Sequence, residues 1–211
     1  MKALNVLDGA VESIYSALDT AGVLQNTYIV FASDNGGCPD SGGRNYPLRG
    51  QKGTIFEGGV RVEAFVHSYL LSPSVRGTIY KGLFHISDWF LTLSSMANAE
   101  VPEDLKAELD SVDQFMSLSR GATPETTTRD SFLYNYDKSK ATSSFWSNAP
   151  GAFRYKQYKL MHTYNSPTAA QWYVSTSVRN SVPYIEKMVI VVVGPKLESC
   201  PLLLLRLYDP Y

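Results

Sequence analysis

Residues 1–20 have the spacing of an amphipathic helix. Apolar side chains recur every three or four positions, and Gly22 follows as a left-handed stop. Residues 28–33, Y-I-V-F-A-S, come next with no polar alternation, which is typical of a strand buried on both faces of a mostly parallel sheet. A helix followed by a buried strand predicts an α/β layered architecture.

A long glycine-rich loop interrupts this pattern. Residues 34–59 contain eight glycines and two prolines. This segment is longer and more polar than a routine connection, and such a loop is usually either functional or disordered. Beyond it the pattern predicts a second strand over 60–66 and a helix over 89–97, with Ser87 as N-cap and Asp88 in the first turn. One helical turn is predicted near residues 109–118.

The second half of the chain has a different pattern. Short aromatic and β-branched segments at 132–136, 152–155, 158–162 and 172–175 are separated by turn residues and predict a small antiparallel sheet. Apolar runs at 188–193 and 202–205 are of strand or core length.

Composition narrows the class of protein. With 44% hydrophobic and 18% charged residues in 211, the chain lies in the ordinary globular range. A formal net charge of -1 provides no general attraction to nucleic acid or an anionic membrane. The apolar runs are far shorter than the roughly 20 residues of a membrane helix, and the N-terminus lacks the apolar stretch of a signal peptide. We therefore expect no nucleic acid partner and no membrane span.

Asp34 and Asn35, followed by two glycines, come directly after the first predicted strand. In open α/β sheets, ligands bind beyond the carboxyl ends of the strands. A carboxylate beside a side-chain amide offers two hard oxygens of the kind that calcium and magnesium prefer. Asp-Asn-Gly-Gly is also a common turn sequence, so the tetrapeptide alone leaves a metal site and a plain turn as alternatives.

Several motifs in a fixed order carry a resemblance to a known family. Residues 33–37 read S-D-N-G-G, residues 46–52 read Y-P-L-R-G-Q-K, and residues 56–61 read F-E-G-G-V-R. The segments H-I-S-D-W at 85–89, L-D-S-V-D at 109–113 and G-A-F-R-Y-K-Q-Y-K-L at 151–160 extend the pattern. Over residues 1–160 the chain resembles sulfatases, particularly the arylsulfatase B-like group.

The resemblance implies an alkaline-phosphatase-like α/β sandwich with a mostly parallel sheet, here truncated, plus a small C-terminal antiparallel sheet. Residues 1–125 would be the C-terminal part of the catalytic domain, and residues 126–211 a small antiparallel subdomain. The implied activity is sulfuric ester hydrolysis with bound Ca²⁺. Asp34 and Asn35 correspond to two calcium ligands, and Lys52 to a contact of the substrate sulfate. The substrate would be a sulfated small molecule or a glycosaminoglycan-type glycan, and the parent enzyme would be lysosomal or secreted.

The chemistry of these residues is compatible with the implied roles, but it also allows structural roles. Calcium polarises a sulfate oxygen, and an ammonium group neutralises charge that develops on the ester. By itself, though, Lys52 is more often a solvated surface lysine. We interpret Arg49 and Arg61 as structural, because such arginines more often bond carbonyls or a nearby acid than a substrate. His85 is expected to be packed and hydrogen-bonded rather than a general acid.

In the resembled family the nucleophile is a formylglycine made from a cysteine in a C-x-P-S-R segment. This chain has no such segment, and Cys38, in the context C-P-D-S, lacks the spacing and the arginine. We therefore expect the nucleophile and the remaining calcium ligands to lie upstream, and this fragment to be inactive alone. Whether Cys38 pairs with Cys200 stays open.

Two other functions also stay open. The chain could be a non-catalytic binding module derived from a sulfatase, which would hold a partner or a sulfated glycan without turnover. It could instead belong to a phosphatase or phosphodiesterase of the same superfamily, because fold does not fix function. The P-L-R-G-Q-K stretch at 47–52 favours a sulfatase.

Overall fold

A computed structural model describes residues 2–121, 128–134, 151–162 and 188–193. The helices are α1 Lys2–Thr20, α2 Glu57–Val60, α3 Asp88–Met96, α4 Glu103–Glu108 and α5 Phe115–Arg120. The strands are β1 Tyr28–Ser33, β2 Ala64–His67, β3 Ser131–Tyr134, β4 Gly151–Tyr155, β5 Tyr158–His162 and β6 Met188–Val193. None of the described helices combines the length and the apolar character needed to cross a membrane.

The helix and the strand predicted at the N-terminus are confirmed. Gly22 ends the turn after α1 with a φ of +71°, and its N–H donates to the carbonyl of Asp19 at 2.9 Å. Tyr28, Ile29 and Val30, the first half of β1, are only 2–4% exposed. Burying side chains of this size contributes about 1.5–3 kcal/mol each, so β1 is anchored at its start, while its last three residues are half-buried and lead into the glycine-rich loop.

β1 is the central strand of a three-stranded sheet with the order β2-β1-β6. Val30 lies opposite Val66 of β2 on one side and Val191 of β6 on the other. The apolar run at 188–193, for which the sequence left strand and core as alternatives, forms strand β6. The predicted mostly parallel sheet is not confirmed, because every pairing among the described strands is antiparallel. An apolar run shows that a strand is buried on both faces, but it carries no information on the direction of its neighbours.

The predicted small antiparallel sheet in the second half of the chain is present, with the order β3-β4-β5. Phe153 of β4 lies between Leu133 and Leu160, and Arg154 lies between Phe132 and Lys159. Alternate residues therefore face opposite sides, as the pleat requires. The predicted segments at 172–175 and 202–205 lie outside the described residues.

One prediction of local structure was wrong, and another is confirmed only in part. β2 begins at Ala64 rather than at residue 60, because the N–H of Arg61 bonds to the carbonyl of Glu57 at 2.8 Å and closes a turn of helix over Glu57–Val60. Ser87 is the N-cap residue of α3, as predicted, but its side chain makes no capping hydrogen bond; its Oγ donates to the carbonyl of Asp110 at 2.9 Å instead. Asp88 does lie in the first turn of α3, as predicted.

Asp88 is also the centre of a buried polar network. Its side chain is 0% exposed and lies 2.6 Å from the guanidinium of Arg129, which is 6% exposed. The N–H of Val112 donates to Oδ1 at 2.9 Å, and Gln114 Nε2 donates to Oδ2 at 3.2 Å. The H-I-S-D-W segment therefore fastens α3 to residues 110–114 and to the strand that begins at Ser131, and it serves the fold.

Candidate calcium and sulfate site

The chain leaves β1 at Ser33 and turns at once through Asp34 and Asn35. Asp34 is exposed, and its Oδ1 accepts the N–H of Asn35 at 2.8 Å. Asn35 is half-buried, and its Nδ2 donates to the carbonyl of Gly36 at 2.9 Å. Because the backbone holds the amide nitrogen, Oδ1 is the ligand atom that Asn35 can offer. The two side chains present hard oxygens at the end of β1, the donor type that calcium prefers.

Asn45 holds the loop that follows. Its Oδ1 accepts the N–H of Gly37 at 2.8 Å, while its Nδ2 donates to the carbonyls of Gly37 at 2.8 Å and Gly50 at 3.1 Å. One amide side chain thus bonds both backbone groups of Gly37 and joins this residue to the loop at 45–52. Sequence reasoning missed this role, because no sequence signal distinguishes Asn45 from an ordinary loop asparagine.

Glycines allow the backbones of two motifs to touch. The N–H of Gly36 donates to the carbonyl of Gly59 at 2.9 Å, and a Cβ at Gly36 would overlap the carbonyl oxygen of Gly58. A Cβ at Gly59 would likewise overlap the carbonyls of Gln51 and Thr54. No side chain can be accommodated at either position. The S-D-N-G-G and F-E-G-G motifs therefore pack backbone against backbone, and their contact requires glycine.

Lys52 is exposed on the neighbouring loop. Its backbone N–H donates to the carbonyl of Gly37 at 3.3 Å, two residues beyond Asn35. Thr54 closes this loop, since its Oγ donates to the carbonyl of Gln51 at 2.7 Å. The structure therefore brings the loop of Lys52 against the loop of Asp34 and Asn35, at the edge of the sheet where β1 ends.

Glu57, at the start of α2, is held by groups from the second sheet. Lys159 Nζ lies 2.9 Å from Glu57 Oε1 and also donates to the carbonyl of Ile55 at 2.5 Å. The hydroxyl of Tyr134 donates to the same carboxylate oxygen at 3.4 Å, and Arg154 lies 3.9 Å away. The second sheet is thereby fastened to the segment that supports Gly36. Lys159 and Arg154 lie about a hundred residues from Glu57 in sequence, so no local pattern could have paired them.

The ionisation of this cluster follows from burial and charge. Burial raises the pKa of Glu57, but the hydrogen bond and charge of Lys159, with the charges of Arg154 and Arg61, outweigh it and hold the pKa below the ordinary 4.5. Burial lowers the pKa of Lys159, against the attraction of Glu57. Burial and the charge of Glu57 raise the pKa of Tyr134, so this phenol remains a hydrogen-bond donor.

Two other charged residues considered from the sequence, exposed Arg49 and half-buried His85, each lie against an aromatic ring. The guanidinium of Arg49 lies 4.4 Å from the centre of the Phe56 ring. His85 is half-buried; its Nδ1 lies 2.8 Å from Ser87 Oγ, and its ring lies 5.0 Å from that of Phe132. Burial, followed by the charge of Arg129, lowers the pKa of His85. The expectation of a packed, hydrogen-bonded histidine is confirmed.

Comparison with known proteins identifies the family. Residues 1–99 match the family model described as Sulfatase. Arylsulfatase J of Mus musculus is 37% identical over 190 residues, which cover 85% of this chain and 30% of that protein. N-acetylgalactosamine-6-sulfatase of Mus musculus is 32% identical over 123 residues, covering 56% of this chain and 23% of the relative. Steryl-sulfatase of Mus musculus is 31% identical over 157 residues, covering 70% of this chain and 24% of the relative.

The chain belongs to the sulfatase family. It spans less than a third of the length of these curated relatives. The sulfatase match over residues 1–99 includes Asp34, Asn35 and Lys52, whereas Arg129 and Lys159 lie beyond it. An alkaline-phosphatase-like α/β fold follows from the family.

The sulfatase calcium site that the sequence implies would receive two ligands from the loop after β1. The carboxylate of Asp34 and the amide oxygen of Asn35 fit a hard cation. Calcium takes six to eight oxygens, so further ligands are required. Within the ranges that the structure covers, no group of three or more histidine, cysteine, aspartate or glutamate side chains is arranged to hold a metal ion.

Proposed function

We propose that this chain supplies part of the active site of a sulfuric ester hydrolase. Asp34 and Asn35 are two of the ligands of a bound Ca²⁺, and Lys52 is a contact of the substrate sulfate. The observation that carries this proposal is the contact between the two loops, in which Gly37 accepts the N–H of Lys52 while Asn45 holds Gly37 from both sides. This junction keeps the predicted ligands and the predicted sulfate contact at one edge of the sheet.

The chemistry of these residues suits a sulfate ester. When bound, Ca²⁺ would act as a Lewis acid toward a sulfate oxygen. The flexible, exposed side chain of Lys52 carries a compact positive charge that can approach the sulfate or the departing ester oxygen. Asp34 and Asn35 do not attack the substrate, and their role is to hold the cation. We assign the nucleophile, a formylglycine in this family, to a part of the enzyme outside this chain.

A sulfated small molecule or a glycosaminoglycan-type glycan is the proposed substrate. The names of two relatives, steryl-sulfatase and N-acetylgalactosamine-6-sulfatase, refer to a steryl group and to a sugar. By the same family resemblance, we propose a lysosomal or secreted location for the parent enzyme.

The proposed roles are tested by hydrolysis of an aryl sulfate. The assay uses the complete enzyme that contains this chain, which we call the native protein. Asp34→Ala and Lys52→Met should each lower kcat/KM about 10²-fold or more, as expected for the loss of an electrostatic contact in a transition state. Asp40→Ala and Lys81→Met are matched controls, because both residues are exposed and Asp40 lies in the same glycine-rich loop. Equal losses in the variants and their controls would contradict the assignment.

The 211-residue chain alone should bind Ca²⁺ weakly and should not release sulfate. Calorimetric titration with Ca²⁺ measures the first property, and a sulfate-release assay measures the second. Release at an enzymatic rate would show that the nucleophile lies within the chain. Binding of a sulfated glycan without turnover by the native protein would favour the non-catalytic binding module instead.

A further inference from the structure

We infer that Lys159 is a positioning residue for the loop that carries Asp34 and Asn35, although it lies on the opposite sheet and beyond the family match. The inference rests on the proposed function, because it assigns Lys159 a role in the geometry of that site. It concerns a residue that touches neither the cation nor the substrate.

Nearly the whole side chain of Lys159 is covered, with 10% of its surface exposed. Its ammonium donates to the carbonyl of Ile55 at 2.5 Å and to Glu57 Oε1 at 2.9 Å, and lies 3.9 Å from the centre of the Tyr134 ring. A backbone carbonyl, a carboxylate and an aromatic face therefore surround the charge, and together they fix the position of Nζ.

Both hydrogen-bond acceptors belong to the short segment that precedes the glycines of α2. Gly58 donates its N–H to the carbonyl of Arg49 at 2.7 Å, and Gly59 accepts the N–H of Gly36 at 2.9 Å. The segment held by Lys159 thus supports both loops of the site, one through Arg49 and the other through Gly36. Nζ is thus connected to the ligand loop through the carbonyl of Ile55, the side chain of Glu57 and the backbone of α2.

Neighbouring groups offer only weak substitutes for Lys159. Without it, Glu57 would retain Arg154 at 3.9 Å and the hydroxyl of Tyr134 at 3.4 Å, both longer than the 2.9 Å contact to Nζ. The carbonyl of Ile55, a residue that is 7% exposed, would lose its bond to Nζ. Residues 55–59 would then be free to shift against Gly36, where the backbones are already in direct contact.

Lys159→Met in the native protein tests the inference through calcium affinity. Loss of a group that orients the ligand loop should raise the Kd for Ca²⁺ about 10–100-fold, as for other residues that orient metal ligands. Lys159→Arg should restore most of the affinity, because a guanidinium can reach the same carboxylate and carbonyl. Lys156→Met is the matched control, since Lys156 is exposed on the turn of the same hairpin, and it should leave the Kd unchanged.

Hydrogen exchange at the Gly36 amide supplies a measurement that does not depend on calcium. The bond from Gly36 to Gly59 should open more often in Lys159→Met, so exchange at Gly36 should accelerate at least about tenfold, as judged from the link between protection and local opening. If the wild-type protein binds no Ca²⁺ but exchange at Gly36 is still faster in Lys159→Met than in wild type, the proposed function is refuted and the positioning role is retained. Unchanged exchange and unchanged Kd in Lys159→Met would overturn the inference. Glu57→Gln carries the same test if Lys159→Met does not fold, since it weakens the same contact and retains the bond to Ile55.

Discussion

Replacing Asp88 by asparagine removes one negative charge from a position that water does not reach. In the native structure both carboxylate oxygens are occupied. Oδ1 accepts the N–H of Val112 and the guanidinium of Arg129, and Oδ2 accepts the N–H of His85, Gln114 Nε2 and Arg129 Nε. An amide retains one acceptor oxygen and directs an NH₂ group toward atoms that are themselves donors.

The expected cost follows from the charge that remains. Arg129 is 6% exposed and stays positively charged, so Asp88→Asn removes the carboxylate charge that lies 2.6 Å from a buried cation. Removing one member of a buried ion pair costs about 3–5 kcal/mol. With a urea dependence of about 2 kcal/mol per molar, the unfolding midpoint should fall by about 1.5–2.5 M.

Urea unfolding followed by tryptophan fluorescence measures this shift, and the chain provides a matched control. Glu103 and Lys106 form an ion pair of the same 2.6 Å length, but their side chains are 86% and 41% exposed. Glu103→Gln should therefore cost less than about 1 kcal/mol. Adding Arg129→Met to Asp88→Asn should recover part of the loss, because both charges of the buried pair are then removed. Equal midpoint shifts in Asp88→Asn and Glu103→Gln would refute the reasoning.

Three further predictions concern the site and its supports. Gly36→Ala should destabilise the fold by about 2 kcal/mol or more, because its Cβ would overlap the carbonyl of Gly58. Gly9→Ala is the control in the same urea experiment: a Cβ at this position in α1 meets no other atom, so the variant should be more stable by about 0.5–1 kcal/mol. Folding lowers the pKa of Glu57, so its charge stabilises wild type over Glu57→Gln by the full amount above about pH 4.5. This stability difference should be lost as the pH falls through the folded pKa, and a constant difference from pH 7 to pH 3 would contradict the prediction. Folding also lowers the pKa of His85, so wild type should lose stability relative to His85→Gln as the pH falls below about 6.5. Parallel curves of stability against pH between pH 8 and pH 5 would show that burial does not disfavour the imidazolium.

Several elements and the family could be predicted from the sequence because their signals are local. The helix α1, the buried strand β1 and the hairpin of β4 and β5 each follow from periodicity and turn residues over a short stretch. The motifs around Asp34, Asn35 and Lys52 could also be recognised from the sequence, since each motif is contiguous and the motifs follow one another in the order of the resembled family. Local patterns were also misread at two residues. Val60 was assigned to a strand but lies in the helical turn α2, and Ser87 lies at the predicted N-cap of α3 but its Oγ bonds to the distant carbonyl of Asp110.

Only the tertiary structure decided which distant groups meet. Asp88 and Arg129 are separated by 41 residues, and Glu57 and Lys159 by 102. Such pairs depend on how elements pack, which periodicity does not encode, and a charged residue in a loop has the same local pattern whether it is solvated or buried against a partner. The same limit applies to the sheet. The apolar run of β1 predicts that the strand is buried, but it does not determine that β2 and β6 pair with it in the antiparallel direction.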